Sequence, residues 1–356
     1  MTTIGDIEVT KATSTRLKDI SIDQFTFGKY YTDHMLEADY INGEWTNVQI
    51  KPYQPISISP ACSAIHYGQS IFEGIKAYRS EKTGNISIFR PLDNFKRFNI
   101  SARRMEMPEV PEDLFIEGMK QLIALDEAWV PREHNYSLYI RPFMFATDGF
   151  IGVKPSATYK FLIILSPTGP YYNHPMKIYV EEKFVRAVEG GVGFAKNAGN
   201  YGAAMHPTAE AKKKGYDQVL WTDAKEHRYV QECGTMNVFF VFGNTAVTPG
   251  LESGTILEGV TRMSAIRLMK DMGVEVEERD LSIEEIKERY RKGELTEAFG
   301  TGTAATVLMI QELADKDDSL TLPQDKWKVG PAVKAKLDAI REGNAEDTYK
   351  WMVPVS

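Results

Sequence analysis

The chain has 356 residues, and 42 lysines and arginines against 49 aspartates and glutamates give it a formal net charge of −7. This balance excludes the basic surface that binding to nucleic acid or to an anionic membrane requires. A content of 43% hydrophobic residues excludes a disordered chain. At roughly 150 residues per domain, the length predicts about two domains.

The cysteines and the N-terminus indicate a compartment. Cys62 and Cys233 are too few for a disulfide framework and form no CxxC motif, which is typical of a reducing environment. Residues 1–18 lack the apolar core of a signal peptide, and no run approaches the ~18 apolar residues that span a bilayer. We therefore expect a soluble, cytoplasmic protein.

The first part of the chain mixes predicted helices and strands. Residues 1–24 are polar and are expected to form an N-terminal arm, so that the folded part begins near Phe25. Short β-branched and aromatic runs predict strands at Ile86–Phe89, Ser137–Ala146 and Tyr159–Ser166. Between them, Pro111 opens a stretch whose apolar residues fall on one helix face. Residues 25–166 are therefore predicted to form a smaller N-terminal α/β domain.

A change in composition marks the second domain. Residues 166–175 (SPTGPYYNHP) carry three prolines, which predicts an interdomain linker at 167–175. Beyond it, Asn237–Phe242 and Thr245–Thr248 flank Gly243-Asn244, a pair typical of a two-residue hairpin turn. Residues 176–356 are predicted to form a larger, β-rich C-terminal domain.

Several catalytic motifs are absent from the sequence. The six histidines are scattered without the spacing of a metal site, so no metal is expected. The sequence also lacks the GxSxG elbow of serine hydrolases and the GxxxxGK[ST] loop of nucleotide triphosphatases.

Gly300–Ala305 matches the degenerate GxGxxA fingerprint of dinucleotide-binding proteins. That fingerprint needs a following helix, whereas Ala305–Ile310 (ATVLMI) has the pattern of a strand. Three interpretations stay open at this point: a nicotinamide site, a tight glycine turn, and a loop whose N–H groups bind an anion.

Glu189–Ala204 is the most unusual segment, because Lys196 lies there among five glycines and small apolar residues. Glycine allows close approach of backbone or ligand, and a lysine in such surroundings suits a nucleophile toward a carbonyl group. The alternative is a flexible loop with one solvated charge.

An acid and a helix start accompany this lysine. Glu232 precedes a Gly-Thr turn, where its carboxylate could face a pocket, although an isolated acid is usually exposed. Val260 and Thr261 open a predicted helix whose first N–H groups could bind a phosphate, unless Thr261 simply caps that helix. A lysine, an acid and an anion-binding helix start are what a pyridoxal-phosphate enzyme requires.

These segments resemble the branched-chain-amino-acid aminotransferases, which are pyridoxal-phosphate enzymes of fold type IV. The resemblance rests on Phe27–Met35, His66–Tyr78, Ser137–Pro142, the Lys196 and Glu232 segments, Leu257–Arg262 and Ala298–Ala304. It covers essentially the whole chain after the arm. It implies a mixed α and β fold of two domains, with a smaller N-terminal α/β domain and a larger C-terminal β-rich pseudo-barrel.

The resemblance also implies a cofactor, pyridoxal 5'-phosphate. Lys196 would bind it covalently, Glu232 would hold its protonated pyridine nitrogen, and Tyr201 would hydrogen-bond its phenolic oxygen. The phosphate would be bound by Arg97, by the amides of Val260 and Thr261, and by Thr303.

The implied substrate site lies between the two domains of one subunit, and the second subunit of a homodimer completes it. Tyr31, Phe72, Tyr139, Tyr171 and Thr235 would line the side-chain pocket, with Tyr67 and Val153 contributed by the second subunit. The amides near Thr303 and Ala304 would bind the α-carboxylate. Arg141 would accept the second carboxylate of glutamate.

The implied reaction is the reversible, ping-pong transfer of the amino group of leucine, isoleucine or valine to 2-oxoglutarate. Animal members of the family carry a redox-responsive CxxC after the Gly-Thr-Ala segment, whereas this chain has Ala305 and Leu308 there, so no redox control is expected. The alternatives are D-amino-acid aminotransferases and aminodeoxychorismate lyases, which share the fold, a nicotinamide-dependent oxidoreductase, and a catalytically silent phosphate-binding scaffold.

Overall fold

A computed structural model describes residues 7–170 and 174–356. Contacts divide this part of the chain into two compact units. Unit 1 comprises the described residues up to 170, residues 195–198 and residues 339–356, and unit 2 comprises residues 174–194 and residues 199–338. Lys196 therefore belongs to unit 1, although the segments before and after it belong to unit 2.

Unit 1 is built on a nine-stranded sheet. Its strands are β1 (Glu8–Val9), β2 (His34–Ile41), β3 (Glu44–Pro52), β4 (Ser70–Phe72), β5 (Ile75–Arg79), β6 (Ile86–Phe89), β7 (Ser137–Ala146), β8 (Tyr159–Thr168) and, numbered in chain order, β18 (Met352–Pro354). The order is β1-β3-β2-β8-β7-β5-β6-β18, with β4 paired to β7. The described part of the arm joins this sheet through β1, which runs parallel to β3.

Three helices accompany this sheet: α1 (Ser63–Tyr67), α2 (Pro91–Arg104) and α3 (Glu112–Leu125). The predicted helix after Pro111 is confirmed, since Pro111 is the N-cap of α3. Phe115, Met119 and Leu122 of α3 are fully buried in the main apolar cluster of unit 1. Their spacing places them on one face, which is the face that burial stabilises.

The predicted strands of unit 1 are also confirmed, with one difference in length. The sequence predicts a strand that ends at Ser166, but β8 continues to Thr168 because Pro167 and Thr168 lie opposite Leu138 and Ser137 of β7. The first two residues of the predicted linker therefore belong to a strand. The domain boundaries themselves stay a prediction.

The second part of the chain forms another nine-stranded sheet and four helices. Its strands are β9 (Met176–Val180), β10 (Gln218–Thr222), β11 (Val230–Cys233), β12 (Asn237–Phe242), β13 (Thr245–Thr248), β14 (Glu275–Glu278), β15 (Leu295–Gly302), β16 (Thr306–Ala314) and β17 (Ser319–Thr321). The helices are α4 (Ala198–Lys213), α5 (Val260–Asp271), α6 (Ile283–Arg291) and α7 (Val329–Arg341). The strand order is β11-β10-β9-β16-β15-β12-β13-β14, with β17 paired to β16.

Two hairpins in unit 2 test predictions made from the sequence. The hairpin predicted at Gly243-Asn244 is confirmed, and Gly243 has the positive φ of 64° that such a turn requires. Gly300–Ala305 joins β15 to the antiparallel strand β16. A strand rather than a helix follows the glycines, so the nicotinamide interpretation lacks the helix that it needs.

Candidate active site

Lys196 is fixed in unit 1 by its backbone. Its amide donates a hydrogen bond to Oγ of Ser101 at 2.8 Å, and its carbonyl accepts one from the amide of Phe72 at 3.1 Å. The next residue, Asn197, forms a β-bridge with Ile71. The lysine thus lies between α2 and β4, with Nζ 4.9 Å from the centre of the Phe72 ring.

Glycine is required in the segment that leads to Lys196. At Gly193, a Cβ would lie 2.7 Å from both the Cα of Thr255 and the Cβ of Ala187. No side chain fits there without a shift of the backbone. The sequence predicts a close approach in this segment, and at Gly193 the approaching group is the backbone of Thr255.

An arginine with an unused donor lies beside the lysine. The guanidinium carbon of Arg141 is 4.7 Å from the centre of the Phe72 ring and 5.3 Å from that of Tyr139. Nη2 of Arg141 donates to the phenolic oxygen of Tyr139 at 2.9 Å, whereas its buried Nε has no hydrogen-bond partner among the described residues. A planar guanidinium held by two rings, with a donor to spare, suits a carboxylate ligand.

The loop before β2 carries two further aromatic residues, one of which contacts this cluster. Phe27 packs edge-on against Tyr139, with ring centres 4.7 Å apart. Tyr31 donates its hydroxyl proton to the carbonyl of Gly28 at 3.1 Å and stacks on Tyr53, with ring centres 4.9 Å apart. Unit 1 therefore brings four predicted site residues together, namely Phe72, Tyr139, Arg141 and Lys196, and places Tyr31 on the loop whose Phe27 reaches them.

Arg97, the predicted phosphate ligand on α2, is buried and paired. Its Nε and Nη2 donate to the two carboxylate oxygens of Glu73 at 2.8 and 2.7 Å. The backbone carbonyl of Arg97 accepts from Ser101 Oγ at 3.1 Å, so Ser101 bonds to both Arg97 and Lys196. A buried charge needs a partner, and Glu73 supplies it.

Sequence analysis missed three residues of unit 1 that hold these side chains. Glu73 is 24 residues from Arg97 in the sequence, and Ser101 is 95 residues from Lys196. At Gly74, a Cβ would lie 3.0 Å from Cζ of Tyr139 and closer still to its hydroxyl. The only sequence signal was the position of Glu73 and Gly74 inside the Phe-Glu-Gly string of the resembling segment.

Two predicted site residues of unit 1 lie at the surface of this chain. Tyr67 is 41% exposed and Val153 is 89% exposed. Ile65, Phe150 and Ile151 are exposed by half or more. A group of large exposed apolar side chains is typical of a surface that contacts another protein.

In unit 2, Glu232 is a buried carboxylate on β11. Its Oε1 accepts a hydrogen bond from the amide of Leu257 at 2.8 Å, and its Oε2 lies 3.3 Å from Nε of Arg186. Nη2 of Arg186 donates to the carbonyls of Gly193, at 3.3 Å, and Thr255. Glu232 is only 3% exposed, so the alternative of an ordinary surface acid is wrong. Arg186 is a partner that sequence analysis missed.

Cys233, which follows Glu232, is protected from ionisation. Burial raises the pKa of its thiol to about 12, and the negative charges of Glu232 and Asp217 add to this effect. The thiol is therefore protonated at neutral pH, as expected of a small buried residue rather than of a reactive thiolate.

The start of α5 has the polarity that suits an anion. Gly259 is its N-cap and has no side chain to bond the first turn. Thr261 therefore lies inside the helix, and the alternative that Thr261 caps it is wrong. A Cβ at Gly259 would lie 3.2 Å from Cγ of Asn237, and Nδ2 of Asn237 donates to the Leu257 carbonyl at 2.9 Å.

The remaining predicted residues of unit 2 lie on neighbouring turns. Thr235 lies in the turn between β11 and β12, and Thr303 and Ala304 lie in the turn between β15 and β16. Met236 joins these turns, because its side chain is 3.2 Å from where a Cβ of Gly302 would stand. Tyr201 lies on α4 and is partly buried. Tyr171 is outside the described residues.

One of the six histidines, His134, lies beside two carboxylates. Nδ1 of His134 lies 3.1 Å from Glu81 Oε1 and 2.9 Å from Glu342 Oε2 in unit 1. The hydrogen bond to Glu81 and the charge of Glu342 raise the pKa of His134. The expectation that no metal binds stays a prediction.

No helix within the described ranges combines the length and the apolar character that crossing a membrane requires. The cytoplasmic location stays a prediction.

Comparison with known proteins identifies the family. Residues 70–313 match the family model of the class IV amino-transferases. The chain is 50% identical over 340 residues to a probable branched-chain-amino-acid aminotransferase of Staphylococcus aureus (strain MRSA252), a match that covers 93% of this chain and 94% of that protein.

Solved structures show the same mixed α and β fold. A branched-chain aminotransferase of the archaeon Thermoproteus uzoniensis, solved with norvaline, matches with a TM-score of 0.75 and 25% identity over 91% of this chain and 100% of that one. A branched-chain amino acid aminotransferase of Escherichia coli matches with a TM-score of 0.72 and 26% identity over 90% of this chain and 99% of that one. The chain belongs to the class IV aminotransferases and, within them, to the branched-chain-amino-acid aminotransferases.

Proposed function

We propose that the protein transfers the amino group of leucine, isoleucine or valine to 2-oxoglutarate, reversibly, with pyridoxal 5'-phosphate as cofactor. The observation that carries this proposal is the group in unit 1 formed by Lys196, Phe72, Tyr139 and Arg141, in which an amine, two aromatic rings and a guanidinium meet. The family membership and the names of the relatives support it.

The donor set of the chain fits pyridoxal phosphate. The residues that would hold it are Arg97, Lys196, Tyr201, Glu232, Val260, Thr261 and Thr303. When bound, this cofactor withdraws electrons from the Cα of an amino acid and so makes its Cα proton acidic. Two observations support the fit. The carboxylate of Glu232 is buried, and the N-terminus of α5 is capped by a glycine, whose lack of a side chain suits the binding of a phosphate.

Lys196 has two tasks in this proposal. Its amine would hold the cofactor covalently and, once released, would act as the base that takes the proton from Cα of the amino acid. The hydrogen bonds to Ser101 and Phe72 hold the lysine backbone while the long side chain moves. The reaction is ping-pong, since the first product leaves before 2-oxoglutarate enters.

Glu232 supplies a fixed negative charge for the protonated ring nitrogen. The Leu257 amide and Arg186 orient its carboxylate, so that it needs no reorganisation during the reaction.

The residues of unit 1 that we assign to the side-chain pocket are mainly aromatic. The rings of Tyr31, Phe72 and Tyr139 suit a branched aliphatic side chain, and the unused Nε of Arg141 suits the second carboxylate of 2-oxoglutarate. We assign Thr235 and Tyr171 to the same pocket, and the amides near Thr303 and Ala304 to the α-carboxylate, from the family resemblance.

We further infer a homodimer in which Tyr67 and Val153 enter the site of the partner. The exposed apolar side chains around them, Ile65, Phe150 and Ile151, support this inference. The substitution Val153→Asp should lower both the dimer fraction in sedimentation and the specific activity. Full activity in a monomer would contradict the inference.

The test of the function is a spectroscopic titration of the purified protein with pyridoxal phosphate, then with leucine, and with D-alanine as the control. The proposal expects a visible band of bound cofactor that leucine bleaches and D-alanine leaves. A band that D-alanine bleaches would favour the D-amino-acid alternative. The absence of any band would overturn the proposal.

A further inference from the structure

The N-terminal arm places a cation against the backbone of the Tyr31 segment. Nη2 of Arg16 donates hydrogen bonds to the carbonyl of Tyr31, at 3.2 Å, and to that of Thr32. One guanidinium thus binds two consecutive carbonyls just before β2.

A buried carboxylate fixes Arg16 in this position. The Arg16 amide donates to Oδ1 of Asp33 at 2.9 Å, and Nε of Arg16 lies 3.6 Å from the same oxygen. Oδ2 of Asp33 accepts from Nε1 of Trp129 at 2.8 Å. Burial alone would raise the pKa of Asp33, but these hydrogen bonds and the charge of Arg16 lower it below its ordinary value.

The same guanidinium faces the ring on which Tyr31 stacks. The Arg16 guanidinium carbon lies 5.2 Å from the centre of the Tyr53 ring. The Tyr53 and Tyr31 rings are stacked, with centres 4.9 Å apart and planes inclined by 6°. Arg16 therefore holds Tyr31 at two places, through its backbone carbonyl and through its ring neighbour.

We infer that Arg16 is a positioning residue that sets the specificity of the amino-acid side-chain pocket by acting through Tyr31. This inference rests on the proposed function, in which Tyr31 lines that pocket. Without Arg16, Tyr31 loses one of its supports, and a branched substrate loses packing in the pocket. A change of one methylene in such a pocket alters discrimination by roughly 10- to 200-fold, so a loosened wall has a measurable effect.

The experiment compares Arg16→Ala with Lys18→Ala in the holoenzyme. Lys18 is exposed on the same arm, and Lys18→Ala removes one positive charge, as Arg16→Ala does. We expect Arg16→Ala to raise the KM for leucine by ~10-fold and kcat to change by less than about 2-fold, whereas Lys18→Ala changes neither. Arg16→Lys should restore part of the loss, since an ammonium can bind one carbonyl but lacks the planar face.

A second readout does not depend on activity. Hydrogen–deuterium exchange of residues 28–33 should be faster in Arg16→Ala than in wild type or Lys18→Ala. The effect on KM should also shrink in a Tyr31→Ala background, because the two substitutions remove one interaction.

The outcomes separate this inference from the proposed function. A wild-type protein without leucine turnover would overturn the proposed function, yet the exchange rates would still test the link between Arg16 and Tyr31. Equal KM values and equal exchange in Arg16→Ala and Lys18→Ala would overturn the inference. If Arg16→Ala does not fold, Arg16→Lys replaces it, and an Arg16→Lys enzyme with wild-type KM and exchange would have the same consequence.

Discussion

Lys196 and Phe72 are joined twice, because the amide of Phe72 donates to the Lys196 carbonyl at 3.1 Å and the Phe72 ring faces Nζ of the lysine at 4.9 Å. Phe72 ends β4, which pairs with β7, so the position of the amine derives from a sheet rather than from a loop. Sites supported by regular elements hold their geometry more closely than sites on loops.

Removal of this amine should abolish the reaction. We expect Lys196→Ala to lower transamination of leucine by at least ~10²–10⁴-fold, since positioned proton transfer is lost together with the covalent attachment. The visible band of bound cofactor should disappear, while the circular dichroism spectrum stays that of a folded protein. Lys212→Ala, an exposed lysine on α4, is the control. Substantial residual turnover in Lys196→Ala would refute the assignment.

Glu232→Gln tests the charge at the ring nitrogen without a change in shape. Its amide oxygen can still accept from the Leu257 amide, but the negative charge is gone and Arg186 loses the ion pair with this side chain. We expect kcat to fall on the order of 10²-fold, as for the loss of one preorganised electrostatic contact. Glu252→Gln, on the same unit, should leave kcat as it is. A wild-type kcat in Glu232→Gln would be incompatible with the proposed role.

Arg141→Gln should distinguish the two substrates. A hydrogen bond to a charged group contributes about 1.5–3 kcal/mol, so the KM for 2-oxoglutarate should rise ~10- to 100-fold. Leucine has no second carboxylate, and its KM should rise much less. Steady-state kinetics with each substrate varied in turn measures the difference, with Arg132→Gln as the control. An equal rise for both substrates would mean that Arg141 supports the pocket without binding the carboxylate.

Asp223 should make the free energy of unfolding of unit 2 depend on pH in the acid range. Burial raises its pKa, but four backbone amides outweigh this effect and lower the pKa from 3.8 to about 2. The amides belong to Lys225, Glu226, Arg228 and Tyr229. The folded state thus prefers the charged form, and its contribution is present above the ordinary pKa and is lost as the pH falls toward 2.

The corresponding variant is Asp223→Asn. At neutral pH, we expect its free energy of unfolding to be about 1–2 kcal/mol lower than that of the wild type. This figure allows for the partial solvent exposure of Asp223. The difference should shrink as the pH falls through the range from 3.8 to about 2. Urea denaturation at several pH values measures this, and Asp325→Asn is the control. A difference that did not depend on pH would exclude the charge as its cause.

Local features of the fold could be predicted from the sequence. The Gly243-Asn244 hairpin and the helix after Pro111 depend on residues close together in the chain, and both are confirmed. The predicted end of β8 falls too early, because its last two residues are held by pairing with β7 rather than by their own propensity.

The partners of the site residues could not be predicted in this way. Ser101 reaches Lys196, Glu73 reaches Arg97 and Arg186 reaches Glu232 only in the folded chain. No periodicity or spacing encodes such distant contacts. Lys196 and Glu232 can be proposed as site residues from the sequence because their residue types are unusual in their surroundings, whereas their supporting residues are ordinary in type.

Unit 1 contains residues from both before and after unit 2 in the sequence, and this order has a consequence for biosynthesis. The sheet that supports Lys196 receives β18 from residues 352–354, which pair with β6. During translation, β6 can pair early with β5, but it receives its other neighbour, β18, only after every strand of unit 2 has been made. We expect unit 1 to reach its full protease resistance on stalled ribosomes only after unit 2, because the strand β18 beside β6 is the last to be made.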